Sequence, residues 1–546
     1  MKKAITLFSL SLLMAGVFAQ TSPAWVKYSG PSDYANYDVR EVSTATDTLG
    51  NVYTAASMSD TLNNLSKAML VKYNPAGVQQ WIQYYDNNDV QYNGTYIKKL
   101  LVDRSGNAFL CGYGVGGSTG GKDFFLAKYD NNGNQQWNAY LDGGSAGDDY
   151  VTSAAFDTTG NIIMAGYANH GAGTTGDDIY VTKWSATGTL LWNYLWNNAS
   201  ANDEDRALDV ATDRSGNVFV TGSTYQTSTG RDMVTIKLDG GGNNLWTKIY
   251  SYGGDNNDDR GFSVVTDSLG NSYVTGATAN WNILKYSPTG TVLWEVHYTT
   301  FDLERYSAKK VLLDKAGNVI TVGSAFQGQP QQDNYVINKY TSAGLLLWST
   351  DVNSPAGGGS VEEMYDAVVD TAGYIYVTGK YDGPAGADIL TAVISPSGAK
   401  MWNNPFTNNL NPAGGDLPYS IVIDRYSNIF IAGVSETRTT SADAVDVVTF
   451  KYNALNFSTG VTDIALQDAE MLVYPNPTQN TLNIHLSDES LLGAAITVTN
   501  LLGQTIITEK IDALNLQLDL SAQAKGIYTV SVKTAQATAS KKIIIQ

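Results

Sequence analysis

The residues best placed to do chemistry recur in one register. Seven positions ahead of a repeated turn aspartate stand Arg40, Tyr96, Tyr150, Arg206 and Arg260, and Tyr306, Tyr365 and Tyr419 fall close to the same place. Acidic residues sit beside them: Asp148-Asp149, Asp203-Glu204-Asp205, Asp258-Asp259, Glu304 and Glu362-Glu363. A ring of phenols, guanidiniums and carboxylates suits sugar or peptide ligands, because it offers flat apolar faces with donors and acceptors. The same pattern also serves as a set of Asp–Arg pairs holding neighbouring repeats together, and its recurrence favours that plainer reading.

Catalytic patterns are scarce. The three histidines, His170, His297 and His485, are dispersed, and Cys111 is the single cysteine. No Gly-x-Ser-x-Gly elbow and no His-Glu-x-x-His helix occurs, and Ser287-Pro288-Thr289-Gly290 lacks the aspartate of a sialidase box. Glycosidase carboxylates are matched by spatial separation, which a sequence does not display. The reading is therefore no catalytic residue, no metal site and no cofactor. A net charge of -18 argues against nucleic acid as a partner.

The elements that must position these residues repeat. An Asp-x-x-Gly-Asn turn or a close variant begins at Asp47, Asp103, Asp157, Asp213, Asp267, Asp314, Asp370 and Asp424. Steps are 54 or 56 residues except for 47 between Asp267 and Asp314, and companion tryptophans run from Trp25 to Trp402. Each unit reads as four short strands, as in Tyr150 to Phe156, Asn161 to Gly166, Asp178 to Trp184 and Leu190 to Tyr194. The turn aspartate caps its own loop and lacks the alternating ligands of a calcium loop. A fixed period of four-stranded units predicts an all-β, eight-bladed β-propeller over 20–455. The last unit has no tryptophan strand, and the Trp25 strand has no preceding three, so the N-terminal strand is expected to complete the last blade.

The series Asp-x-x-Gly-Asn-x-(Tyr/Phe)-Val-Thr-Gly, then Asp-x-apolar-x-x-Lys-Tyr, then Gly-x-x-x-Trp resembles the bacterial secreted β-propeller repeat family over about 21–455. Its Gly-x-x-x-Trp part is similar to the tryptophan-docking motif of eight-bladed quinoproteins, which implies that the tryptophans pack between blades. Those quinoproteins use adjacent cysteines, and one cysteine excludes that version.

The ends supply an address. Lys2-Lys3, an apolar run from Ile5 to Met14 and Val17-Phe18-Ala19 predict a signal peptide over 1–19, with no further transmembrane segment. After a linker at 456–470, residues 471–546 predict a small β-sandwich, with the alternating Leu514 to Leu520 as a half-buried strand. This tail resembles the type IX secretion C-terminal sorting domain (type A). The matching positions are Tyr474-Pro475-Asn476-Pro477, Asn500 to Gln504 with Gly503, Gly526-Ile527-Tyr528 and Lys541-Lys542-Ile543. The resemblance implies the type IX machinery as partner and export across both membranes to the surface or medium. The expected role is a non-catalytic module binding glycans or proteins; the alternatives are a structural surface component and a carbohydrate-active enzyme.

Overall fold

The computed structural model describes residues 22–30, 37–60, 65–85, 94–116, 121–144, 147–169, 176–199, 203–253, 258–277, 281–298, 307–326, 333–352, 362–383, 386–437, 445–455, 471–486, 494–500, 504–533 and 538–546. The expected signal peptide, the linker at 456–470, Tyr306 and Gly503 lie outside them. Among the described residues every regular element is a strand, and no helix is long and apolar enough to cross a membrane. The chain divides into one unit over 19–455 and another containing 456–546.

The larger unit holds eight four-stranded antiparallel sheets. The third runs Tyr150–Phe156, Ile162–Asn169, Asp177–Trp184 and Leu190–Trp196, each strand paired with the next. In chain order the first strands of the eight sheets begin at Tyr37, Thr95, Tyr150, Asp205, Arg260, Ser307, Glu362 and Asp416. Each first strand touches the first strand of the next sheet, and the eighth touches the first. Trp25–Ser29 supplies the fourth strand of the eighth sheet, pairing with Val447–Lys451.

Burial explains the composition of the strands. Ala108–Val115 and Asp177–Trp184 are buried throughout because neighbouring sheets cover both faces; the first runs almost wholly apolar, and the second keeps an apolar centre, Ile179 to Val181, between polar residues that find partners. Leu190–Trp196 lies outermost and alternates half-buried with exposed, so only one of its faces is covered.

One junction motif joins sheet to sheet. Trp192 Nε1 and Lys183 Nζ of the third sheet both donate to the Gly240 carbonyl of the fourth, at 3.0 and 3.1 Å. The Trp192 indole lies flat on Gly242, whose φ is 86°; a Cβ there would come within 2.7 Å of the ring. This position therefore demands glycine both for its backbone and for its missing side chain. Trp25 and Lys451 of the eighth sheet donate in the same way to Pro75 of the first. Among the described residues, the junction from seventh to eighth sheet alone lacks the glycine turn, because no turn connects Tyr452 to the Trp25 strand. There Trp402 packs edge-on against Tyr452 at 4.8 Å, and Asn404 Nδ2 donates to the tyrosine hydroxyl at 2.9 Å.

A belt of polar contacts links the first strands. Ser43 Oγ accepts from the Leu100 amide, Ser153 Oγ donates to Asp209, and Asp209 accepts from the Val264 amide. Asp366 holds Lys310 and accepts from the Ile421 amide, and Ser420 Oγ accepts from the Thr44 amide, which joins the eighth sheet to the first.

Candidate functional site

Every first strand carries a one-residue bulge, five residues before its turn aspartate in seven of the sheets and six before it in the first. A bulge turns one extra side chain away from the regular alternation. Glu41 is the first such residue, with a positive φ of 58° that a non-glycine residue adopts only at a cost. It is ion-paired with Lys98, the bulge residue of the second sheet, and burial pulls the Lys98 ammonium down to about 8. Thr152 and Leu208 follow in the third and fourth sheets. Lys309 Nζ of the sixth lies 5.8 Å from the centre of Phe262, the bulge residue of the fifth. Tyr365 and Tyr419 complete the ring and meet edge to face at 5.9 Å.

Two positions earlier on their strands stand Tyr96, Tyr150, Arg206 and Arg260. Tyr96 stacks on Tyr113 at 5.1 Å, Tyr113 meets Tyr150 at 4.8 Å, and Tyr150 meets Tyr167 at 5.1 Å. Arg206 lies 4.9 Å over Tyr167, which continues the arc into the fourth sheet. Lys122 sits within 6.0 Å of the Tyr96, Tyr113 and Tyr150 rings. Burial and the neighbouring Asp148, to which its hydroxyl donates at 2.9 Å, push the Tyr150 phenol up to about 12. Beyond Arg206 charges alternate: Asp177 and Glu204 hold Arg206, Glu204 and Asp258 hold Arg231, and Asp258 holds Arg260 at 2.6 Å.

The sequence-derived ring is thus two rings. Tyr365 and Tyr419 are bulge residues and stand at a different level from Tyr96, Tyr150, Arg206 and Arg260. Arg40 directly precedes the Glu41 bulge and pairs with Ser57 through its backbone; its side chain is not among the described residues. Placing Tyr365 and Tyr419 close to the register of seven merged two positions, the one seven residues before the turn aspartate and the bulge five before it.

The doubled acids divide their work, which spacing alone did not reveal. Asp148, Glu204 and Asp258 face the cations, whereas Asp149, Asp205 and Asp259 are buried and accept amides from the preceding loop, at Gly143, Asn198 and Tyr252. Asp416 does the same for Asn408 at 2.8 Å. Burial, reinforced by nearby carboxylates, raises Asp149 to about 7 and Asp205 and Asp416 to about 6. Their neighbours include Asp123, Asp178 and Asp388, the aspartates of the Asp-x-apolar repeat. Asp123, Asp142 and Asp149 bring oxygens within 4.8 Å of one another, a grouping able to hold a cation among the described residues.

In the smaller unit, Met471–Tyr474, Thr481–Leu486 and Asn515–Asp519 form one sheet. Thr505–Lys510, Ala495–Asn500, Gly526–Lys533 and Thr538–Ile545 form the other. Leu482, Ile484, Val498, Leu518, Val530 and Ile543 belong to one shared core. Two motifs far apart in sequence meet here. Asn476 Nδ2 donates to the Lys542 carbonyl at 2.8 Å, and the Ile544 amide donates to Asn476 Oδ1 at 2.9 Å. Thr478 continues the contact, donating its amide to the Ile544 carbonyl and accepting the Gln546 amide. Tyr474, Pro475, Asn476, Pro477 and Lys542 are exposed along this seam, Lys541 is partly buried, and Gly526 opens the strand that pairs with Thr538–Ile545.

Residues 472–546 match the secretion system C-terminal sorting domain. The tail is a type IX sorting domain. A sorting domain directs export, so the chain is a secreted or surface protein whose machinery is the type IX system. No curated protein sequence matches the chain. Among solved structures, the WD40 domain of SCAP from fission yeast is 9% identical, with TM-score 0.42, covering 79% of this chain and 97% of that one. PorZ, a surface component of the type IX secretion system of Porphyromonas gingivalis, is 12% identical, with TM-score 0.29 and coverages of 92% and 74%. A fungal alcohol oxidase of the AA5 family, in complex with copper, is 14% identical, with TM-score 0.40 and coverages of 82% and 96%.

Proposed function

We propose that residues 20–455 form an eight-bladed β-propeller, that 471–546 form a small β-sandwich, and that the exported protein is a non-catalytic binding module for glycans or proteins. The N-terminal 1–19 would be removed as a signal peptide. Eight sheets in cyclic contact, with the Trp25 strand completing the eighth, support the propeller. One observation carries the binding role: the two inner rings are not uniform. A purely architectural ring would repeat the same ion pair at every junction. Here ion pairs occupy the third to fifth sheets, a tyrosine arc the second and third, and a tyrosine pair the seventh and eighth. Rigid scaffolds carry recognition where the repeat is broken.

The ion-paired sector is what favours the second reading, a structural surface component without a specific ligand. A thermal-melt screen of the mature chain against polysaccharides and surface-protein extracts separates the two. A ligand at 100 times its Kd adds about 2.7 kcal/mol, which moves the midpoint visibly. A selective shift supports the module; none with either panel supports the structural role. Deleting 471–546 is expected to leave the protein in the periplasm, and normal export of that truncation would refute the role given to the tail.

A further inference from the structure

We infer that the ligand-facing surface is the aromatic half of the bulge ring, formed by Phe262, Lys309, Tyr365 and Tyr419, and that it takes a neutral saccharide. This rests on the binding-module reading and names its surface and ligand class. The four residues stand on four successive first strands, and each keeps part of its surface in solvent. In the other half of the ring Glu41 is ion-paired with Lys98, the Thr152 hydroxyl lies within hydrogen-bond distance of the Ala165 and Ala207 carbonyls, and Leu208 offers neither a ring face nor a polar group.

All eight first strands carry the bulge, so the bulge is architecture, whereas the residue type at its tip varies. Aromatic side chains cluster at it on one side alone. A pyranose ring presents an apolar C–H face to such rings, and its hydroxyls both donate and accept. The phenols of Tyr365 and Tyr419, the Lys309 ammonium and the Glu363 carboxylate offer the matching groups. Lys309 and Glu363 lie 3.9 Å apart, so their charges offset and the surface holds no surplus cation for an acidic sugar. The mouth arc is a poorer platform. Its four rings pack in a chain with Lys122 beside three of them, and its guanidiniums hold carboxylates at 2.5 and 2.6 Å, against 3.9 Å for Lys309 and Glu363.

The test is calorimetric titration of the mature full chain with a soluble neutral β-glucan and with polygalacturonate. Binding of the neutral polymer is expected. Tyr365→Ala with Tyr419→Ala should weaken it at least about tenfold, the loss of roughly 1.4 kcal/mol, while Tyr365→Phe with Tyr419→Phe should keep most of the affinity and controls for folding. Arg206→Ala with Arg260→Ala should change it less than about threefold. Loss with the arginine pair and not the tyrosine pair would overturn the assigned surface while leaving the binding module standing. Binding of polygalacturonate in preference to the neutral polymer would overturn the ligand class. Binding of neither polymer would overturn the saccharide inference, and a pull-down of surface proteins by the same preparation would then decide whether the module reading survives it.

Discussion

Asp416→Asn should stabilise the protein at neutral pH and leave it unchanged in acid. Asp416 is fully buried, and burial, with Asp388 and Glu436 nearby, raises its carboxyl to about 6 despite the Ser435 and Asn408 donors. An unfolded aspartate titrates near 3.9, and each pKa unit is worth about 1.36 kcal/mol. A shift of about two units therefore means that ionised Asp416 costs the folded state on the order of 3 kcal/mol. Because the folded value is the raised one, the cost is absent below about pH 4, grows between 4 and 6, and is complete above about 6.5. Asparagine keeps the acceptor for the Asn408 amide and removes the charge. Urea unfolding followed by tryptophan fluorescence, on wild type and variant at half-unit steps from pH 4 to 8, gives the difference curve. Asp149 and Asp205 tilt both proteins the same way and cancel in it. Asp388, itself raised chiefly by burial, titrates together with Asp416 and broadens the step without changing its sign. A variant less stable than wild type by a constant amount at every pH would refute the reasoning, since it would show a lost hydrogen bond rather than a lost charge.

Trp192→Ala should destabilise by less than the roughly 3–5 kcal/mol of a fully buried aromatic truncation, because the indole is only half-buried; Gly242→Ala at the same junction should also destabilise, and the double variant should cost less than the two together because each already opens the same contact. Lys183→Met should destabilise in urea unfolding, by less than the roughly 3–5 kcal/mol of a wholly uncompensated buried charge, because Asp157, 2.9 Å from the ammonium, keeps its Thr159 and Asn161 donors; although burial would raise that carboxylate, Asn161 and Lys183 hold it far below the usual range. Asn476→Ala removes two hydrogen bonds across the sorting-domain seam, so the tail should melt earlier and the exported fraction, measured by surface and medium immunoblots, should fall.

The turns, the tryptophan spacing and the tail motifs were legible, whereas the bulge and the split of the doubled acids, although they recur, were not. The turn aspartates, the tryptophan spacing and the tail motifs each state a local rule many times or in a fixed order, so all-β units and the sorting domain followed directly. Asp213 behaves as its spacing suggests: Oδ1 accepts from the Ser215 and Asn217 amides at 2.9 Å. The bulge was hidden because it adds one residue without altering the apolar pattern on either side. Tyr365 and Tyr419 stand five rather than seven residues before Asp370 and Asp424, so they fall on the bulge itself, while Tyr96, Tyr150, Arg206 and Arg260 lie two residues ahead of theirs. The doubled acids were hidden for a different reason. Asp148 and Asp149 are chemically identical in sequence, and only strand alternation sends one to Lys122 and the other into the core beside Asp123.

The seventh-to-eighth junction shows how topology limits repetition. Every other docking turn is made by a chain that runs from third to fourth strand, but in the eighth sheet those strands come from opposite ends of the propeller sequence. The tryptophan at that junction has no glycine turn to lie on, so the sequence supplies Tyr452 and Asn404 in its place, and Val393 stands where the other sheets pair a lysine with the tryptophan. The missing lysine removes a donor whose acceptor carbonyl is also missing. A buried ammonium that lost that carbonyl would keep only part of its compensation, so a valine fits a junction that has no turn to dock on.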